Sequence, residues 1–254
     1  MNKLLVLLVL LLSSFTLHQP AATPAFQGGE VLKYRIHYGL INAGVAELKV
    51  KQTTFQGKPV LHAIGTGKSV GMTEWFFKVR DRYETKMDPK TMYPVHFIRD
   101  VNEGGFIIKR DIVFDQVLHV ATDRYPEPDK VVETGMPVHD LLSMFYYARS
   151  RDVSWMKPGD EMEIVLFMDH ELFRFKLRYL GKETLKTEVG QIPCLKFRPI
   201  VQKGRVFKEE EAMHLWVSND ANKIPVRIQT DLLIGSLRAD LTEYSGLVAP
   251  LNKK

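Results

Sequence analysis

From residue 28 onward, hydrophobic and polar positions alternate with period two far more persistently than they follow a helical period. Leu32, Tyr34, Ile36 and Tyr38 alternate with Lys33, Arg35 and His37, and Ala46, Leu48 and Val50 with Glu47, Lys49 and Lys51. Successive side chains of a strand point to opposite faces, so this pattern predicts strands with one buried side. The intervening GLINAG is hairpin chemistry, with two glycines and an asparagine. Further strands are predicted near 58–66, 78–87, 93–101, 106–115, 117–123, 161–168 and 172–180, then near 183–189, 192–202, 212–218, 224–231 and 236–244. NEGG at 102–105 and Asp169-His170-Glu171 supply close turns. So many short strands joined closely predict a mainly β protein with one large antiparallel, strongly curved sheet, an open barrel.

Two segments break the alternation. VHDLLSMFYYAR at 138–149 follows Pro137 and is apolar nearly all round. It predicts a helix buried on every face, with the concave side of the curved sheet as its natural place. Asp140, in its first turn, suits the positive end of the helix dipole. A shorter helical turn is predicted near 71–77, GMTEWFF. No linker, repeat or composition break divides the chain, which predicts one domain over residues 26–254.

The first 25 residues have another character. Lys3 precedes the unbroken apolar run Leu4–Leu12, Pro20 ends any helix, and the small-residue stretch AATPA follows. This is the order of a secretory signal peptide, with cleavage expected after Ala25 and Ala22 as second choice. The run falls short of the ~20 apolar residues that cross a bilayer, so no transmembrane span is expected after processing. No cysteine lies just after the run to carry a lipid. The expected location is therefore exported, with the periplasm first and outer-membrane association or secretion as alternatives.

Composition adds exclusions. Of 254 residues, 35 are Lys or Arg and 30 Asp or Glu, giving a net charge of +5. These charges are mixed along the chain, unlike the basic stripe of a nucleic-acid binder. The single cysteine, Cys194, lies in an alternating stretch and is expected to be a small core residue. HAIGTGKS at 62–69 imitates a phosphate loop, but His62 stands where that loop needs its first glycine, and no βαβ pattern surrounds it. It is expected to be a strand end and turn, with no nucleotide bound. No G-x-S-x-G, H-E-x-x-H or C-x-x-C motif occurs, and the histidines beyond residue 25 (His37, His62, His96, His119, His139, His170 and His214) are scattered. No catalytic residue, metal site or cofactor is predicted.

Three stretches resemble the bacterial domain-of-unknown-function family 3108. They are GEVLKYRIHYGLINAGVAELKV near the start, VRDRYETKMDPKTMYPVHFIRDVNEGG with VHDLLSMFYYARS in the middle, and HLWVSNDANKIPVRIQTDLLIGSLRADL near the end. The resemblance implies an exported envelope protein and a β-spiral or open barrel partly filled by a helix, like the periplasmic lipoprotein carriers. It supplies no catalytic residues. The resulting expectation is a non-catalytic protein that binds an apolar or amphipathic envelope ligand, a lipid, lipoprotein or glycan, on its concave face. Trp75, Phe76, Leu142, Phe145 and Tyr146 are the expected lining. The alternatives are a structural or interaction protein without a small ligand, and a hydrolase of envelope polymers, for which Asp140 and Glu74 would have to converge in one cleft.

Overall fold

Alternation produces one continuous antiparallel sheet in the computed structural model, which describes residues 25–200, 213–231 and 235–254. Its strands are β1 (Val31–Tyr38), β2 (Ile41–Phe55), β3 (Lys58–Ser69), β4 (Val79–Met87), β5 (Pro94–Glu103), β6 (Phe106–Asp115), β7 (Val120–Asp123), β8 (Lys130–Glu133), β9 (Glu161–Met168), β10 (Glu171–Thr187), β11 (Gly190–Ile200), β12 (Met213–Ser218), β13 (Pro225–Asp231) and β14 (Ser236–Ser245). A single turn, α1 (Thr73–Phe76), joins β3 to β4, and α2 (Leu141–Ser150) joins β8 to β9 through short connections. Strands β1 to β8 lie in chain order, and β14 to β9 continue from the other side of β1, so β8 and β9 are the two edges. The sheet is therefore open.

The gap beside β9 is partly sealed by the residues that lead into α2. His139 donates its backbone N–H to Val165 O at 3.0 Å and accepts at its carbonyl from Phe167 N at 2.8 Å. The Gln116 side chain fixes the approach, bonding Val138 N at 3.0 Å, Val138 O at 3.1 Å and Pro94 O at 2.8 Å. These bonds occupy part of an edge that would otherwise recruit a foreign strand.

Helix α2 starts at Asp140, which is its N-cap rather than a first-turn residue. Its carboxylate accepts from Leu142 N and Ser143 N, each at 2.8 Å, and Asp140 N donates to Ser143 Oγ at 3.0 Å in a reciprocal capping box. Thr85 Oγ1 donates to the second carboxylate oxygen at 2.6 Å, tying the cap to β4. Burial pushes the Asp140 carboxyl up to about 6, against the pull of these hydrogen bonds.

Several sequence expectations resolve into different physical arrangements. The stretches 172–180 and 183–189 form one 17-residue strand, β10, with a register shift around Gly181 at φ +125. A bulge bends the strand without ending it. The turn at Asp169-His170 has both residues at positive φ, 50 and 66, the signature of a two-residue hairpin loop. GTGKS lies wholly within β3. A Cβ at Gly65 would stand 3.2 Å from Leu48 and 3.9 Å from Leu142, so that glycine sits in a regular strand and leaves room for the Leu48 side chain of β2. Cys194 is buried among Leu32, Ile192, Trp216 and Ile224, and burial pushes its thiol up to about 12.

Candidate functional site

A helix inside a curled sheet can press on both walls only if the curl is tight. Here α2 presses along its length on one and meets the other only at its edge, where Met144 packs with Ile164 and Leu166 of β9. Leu142 and Tyr146, four residues apart and hence on one face, pack with Val50, Leu61, Ala63 and Met87 of β2, β3 and β4. Leu141, Met144, Phe145 and Ala148 look the other way, toward β9–β13. Between them and those strands lies a cavity of about 950 Å³. Its far wall is built from inward rows: Met162 and Leu166 on β9, Phe173 and Leu177 on β10, Phe197 on β11, Leu215 on β12. The register explains the rows, because Leu177 faces Met162 and Phe173 faces Leu166 across β9–β10, and Phe197 faces Leu215 across β11–β12. Met144, Met162, Met168 and Met213 all line the space, and methionine suits a wall that must adapt to irregular apolar shapes.

Charge is confined to a few positions on this surface. Arg99 donates to Asp169 at 3.3 Å, linking β5 to the β9–β10 turn, and Arg174 to Glu163 at 2.5 Å. The same turn is held from β7, since His170 Nε2 lies 2.8 Å from Asp123 Oδ2. Lys223 also lines the cavity; its ammonium has no hydrogen bond or ion pair among the described residues. Burial holds its pKa below the ordinary lysine value. An apolar space with few fixed charges at its margin is the composition of a small-molecule site.

Of the five residues expected to line the concave face, Phe145 alone borders this cavity. Leu142 and Tyr146 are core residues against the opposite wall. Trp75 and Phe76 sit on α1, outside the curl, and each is 85% exposed. The expectation of a helix buried on every face is corrected in the same way, since Leu141 is exposed and Phe145 only half-buried beside the space. The strand residues of the wall were missed. Their signal, inward alternation, was legible, but alternation does not distinguish a row that meets packed neighbours from one that meets a void.

Asp140 and Glu74 do not form a carboxylate pair. Asp140 is spent on the helix cap, and Glu74 is an exposed partner of Arg80. Among the described residues no group of three or more His, Cys, Asp and Glu is placed to hold a metal ion. No described helix is long and apolar enough to cross a membrane.

A family model described as "Protein of unknown function (DUF3108)" matches residues 33–242. No curated protein matches. Among solved structures, the chain is similar to a β-barrel-like protein of the domain of unknown function DUF1849 from Brucella abortus, with TM-score 0.55, 6% identity, and 87% of this chain and 98% of that chain covered. At that identity the likeness is one of fold. Two weaker likenesses are a protein from Parabacteroides distasonis provisionally named a lipoprotein (TM-score 0.38, 15% identity, 88% and 99% covered) and a DUF1089 family protein from Pseudomonas aeruginosa (TM-score 0.31, 11% identity, 80% and 92% covered).

Proposed function

The chain belongs to the DUF3108 family of unknown function, and on that premise we propose that it is an exported, non-catalytic protein that holds an apolar or amphipathic envelope ligand between α2 and strands β9–β13. The observation that carries this reading is the cavity of about 950 Å³, bounded by methionine, leucine and phenylalanine side chains. That volume falls within the range, roughly 300–1,000 Å³, in which proteins enclose lipid-sized or drug-sized molecules. A void of this size left in a folded core would be costly, because its lining atoms lack contacts on one side. An acyl chain or similar apolar body supplies them.

Native mass spectrometry of the protein purified from the periplasm, paired with organic extraction and lipid analysis, tests the reading. The expected result is a stoichiometric adduct that vanishes on denaturation. Ala148→Phe places a ring across the cavity from the helix side; overpacking of this kind costs about 1–3 kcal/mol, and the variant is expected to fold with most of the adduct lost. A wild-type protein with no extractable lipid above a control protein would sink the ligand reading in favour of a structural envelope role.

Export carries its own prediction. Ala25 and Phe26 are fully buried, and Ala25 O accepts from Arg149 Nη2 at 3.2 Å. Cleavage after Ala25 would remove that acceptor and set the new ammonium of Phe26 in the core beside a guanidinium. We therefore place cleavage after Ala22, the alternative site. N-terminal sequencing of the exported protein should read Thr-Pro-Ala-Phe; a sequence beginning Phe-Gln-Gly would overturn this choice.

A further inference from the structure

Antiparallel strands in this order send alternate turns to the same end of the sheet. The β1–β2, β3–β4 and β5–β6 connections share one end, and their bases are paired: Tyr38 with Ile41, Gly44 with Ser69, Val79 with Glu103, and Glu103 with Phe106. Contacts join the tips as well, since Gly104 N donates to Lys78 O at 2.9 Å and the Phe77 ring lies against Gly104. Through β1–β14 the same parity puts the Asp169-His170 turn at this end, where Met168 and Leu172 border the cavity.

This end carries an unusual concentration of exposed apolar side chains. Leu40, Met72, Trp75, Phe76, Phe106 and Ile107 are all exposed there. Scattered surface hydrophobes need no explanation, but a set gathered on successive turn tips does. Behind the tips stand Lys68, Lys78 and Lys109, exposed and without an ion pair among the described residues. Of the nearby acids, Glu74 is paired with Arg80, and Asp81 and Glu103 fall on the inward alternation of Val101. Exposed Asp100 stands directly across from Lys109, which leaves Lys68 and Lys78 as the cations to meet a headgroup.

We propose that this end of the sheet docks on a lipid bilayer bearing anionic headgroups, with the tips of α1 and of the β1–β2 and β5–β6 turns entering the interface. Tryptophan, phenylalanine, methionine and leucine at the tips, with lysines one step behind, match the layering of an interface, where apolar groups reach the acyl boundary and cations remain at the headgroups. The tips stand on separate strand pairs, spaced by roughly 10 Å per pair. Separate insertion into a fluid surface suits them, whereas a protein partner would need one continuous patch of ~800 Å². The proposal goes beyond ligand retention and uses different residues. It also gives the cavity a mouth facing a lipid source.

The test is co-sedimentation of the exported, processed protein with vesicles of phosphatidylethanolamine and phosphatidylglycerol, against vesicles of phosphatidylcholine alone. Wild type should pellet with the anionic vesicles, less so at high salt, and Trp75 emission should shift to the blue in a Trp155→Phe background. Trp75→Ser/Phe76→Ser should lower the bound fraction about tenfold or more, and Lys68→Glu/Lys78→Glu should abolish the preference for anionic vesicles. Both pairs lie outside the core, so circular dichroism and Tm should match wild type. Ala148→Phe should pellet normally, which separates docking from cavity binding. Failure of wild type to pellet, equal pelleting of the Trp75/Phe76 variant, or loss of pelleting in Ala148→Phe would each overturn the proposal. So would self-association that depends on Trp75 and Phe76 without vesicle binding, which would identify a second copy as the occupant.

Discussion

Replacing Arg149 by methionine is expected to destabilise the protein by about 3–5 kcal/mol, because it leaves a buried carboxylate without its partner. Arg149 occupies the last turn of α2 and is 3% exposed; Glu30, just before β1, is 0% exposed. The two meet in a parallel fork, Nη1 to Oε1 and Nη2 to Oε2, each at 2.8 Å. The remaining donors are used too: Nε and Nη2 reach Asn222 O at 3.3 and 3.0 Å, and Nη2 reaches Ala25 O. Phe26, Phe145 and Tyr146 place their rings within 5.6 Å of the guanidinium carbon. Asn222 in turn holds the C-terminal segment, exchanging two hydrogen bonds with Ala249. One guanidinium thus joins the segment Ala25–Glu30 before β1, the central helix, the β12–β13 turn and, at one remove, the C-terminal segment.

Lysine cannot replace it, since a single ammonium lacks the planar fork that matches a carboxylate. Arg149→Lys should therefore lose most of the same stability, whereas Arg149→Met/Glu30→Met should recover much of it by removing both charges. Urea unfolding followed by the fluorescence of buried Trp216 measures all three. A loss below about 1 kcal/mol in Arg149→Met would refute the assignment, being the value expected of an exposed pair.

The curved sheet was legible because its cause is local. Leu32 and Tyr34 against Lys33 and Arg35 report a buried face wherever the rest of the chain lies, and the hairpin at Asp169-His170 needs only two residues that tolerate positive φ. The helix was legible as an apolar segment opened by Asp140. What remained hidden depends on distant partners. Glu30 and Arg149 lie 119 positions apart, and each alone has the appearance of a surface charge. β8 has four residues, too few for alternation to be distinguished from chance. Trp75 and Phe76 stood out as large aromatics, for which burial is the default expectation, yet α1 is one turn long and lies outside the curl. The cavity is the limiting case: its walls are ordinary inward-facing rows, and only the distance between α2 and β9–β13 makes them a container.

Acidification below neutrality should weaken the fold through His139, by on the order of 3 kcal/mol at pH 4. The imidazole is 3% exposed, stacked on Tyr93 at 4.7 Å with Tyr147 tilted against it at 4.4 Å, and neither ring nitrogen has a hydrogen-bond partner among the described residues. Burial, reinforced by the nearby Arg151 guanidinium, pushes its pKa down from 6.5 to about 4. The folded protein therefore keeps the ring neutral in a window where the unfolded chain takes up a proton. In that window stability rises with pH; it is undiminished above about 6.5 and has lost the full contribution once the pH falls below about 4. Other carboxylates titrate over the same range, Asp140 among them, so the informative quantity is the difference between wild type and His139→Leu. That variant keeps the backbone bonds to Val165 and Phe167 and has nothing to protonate. Urea unfolding from pH 7.5 to pH 4 should show wild type losing the additional increment. Parallel profiles would mean that the ring is protonated inside the fold, with its charge held by a partner. The distinction has a structural consequence, because His139 is the residue whose backbone seals β9: a proton forced onto its ring would loosen the segment that closes the sheet beside the cavity.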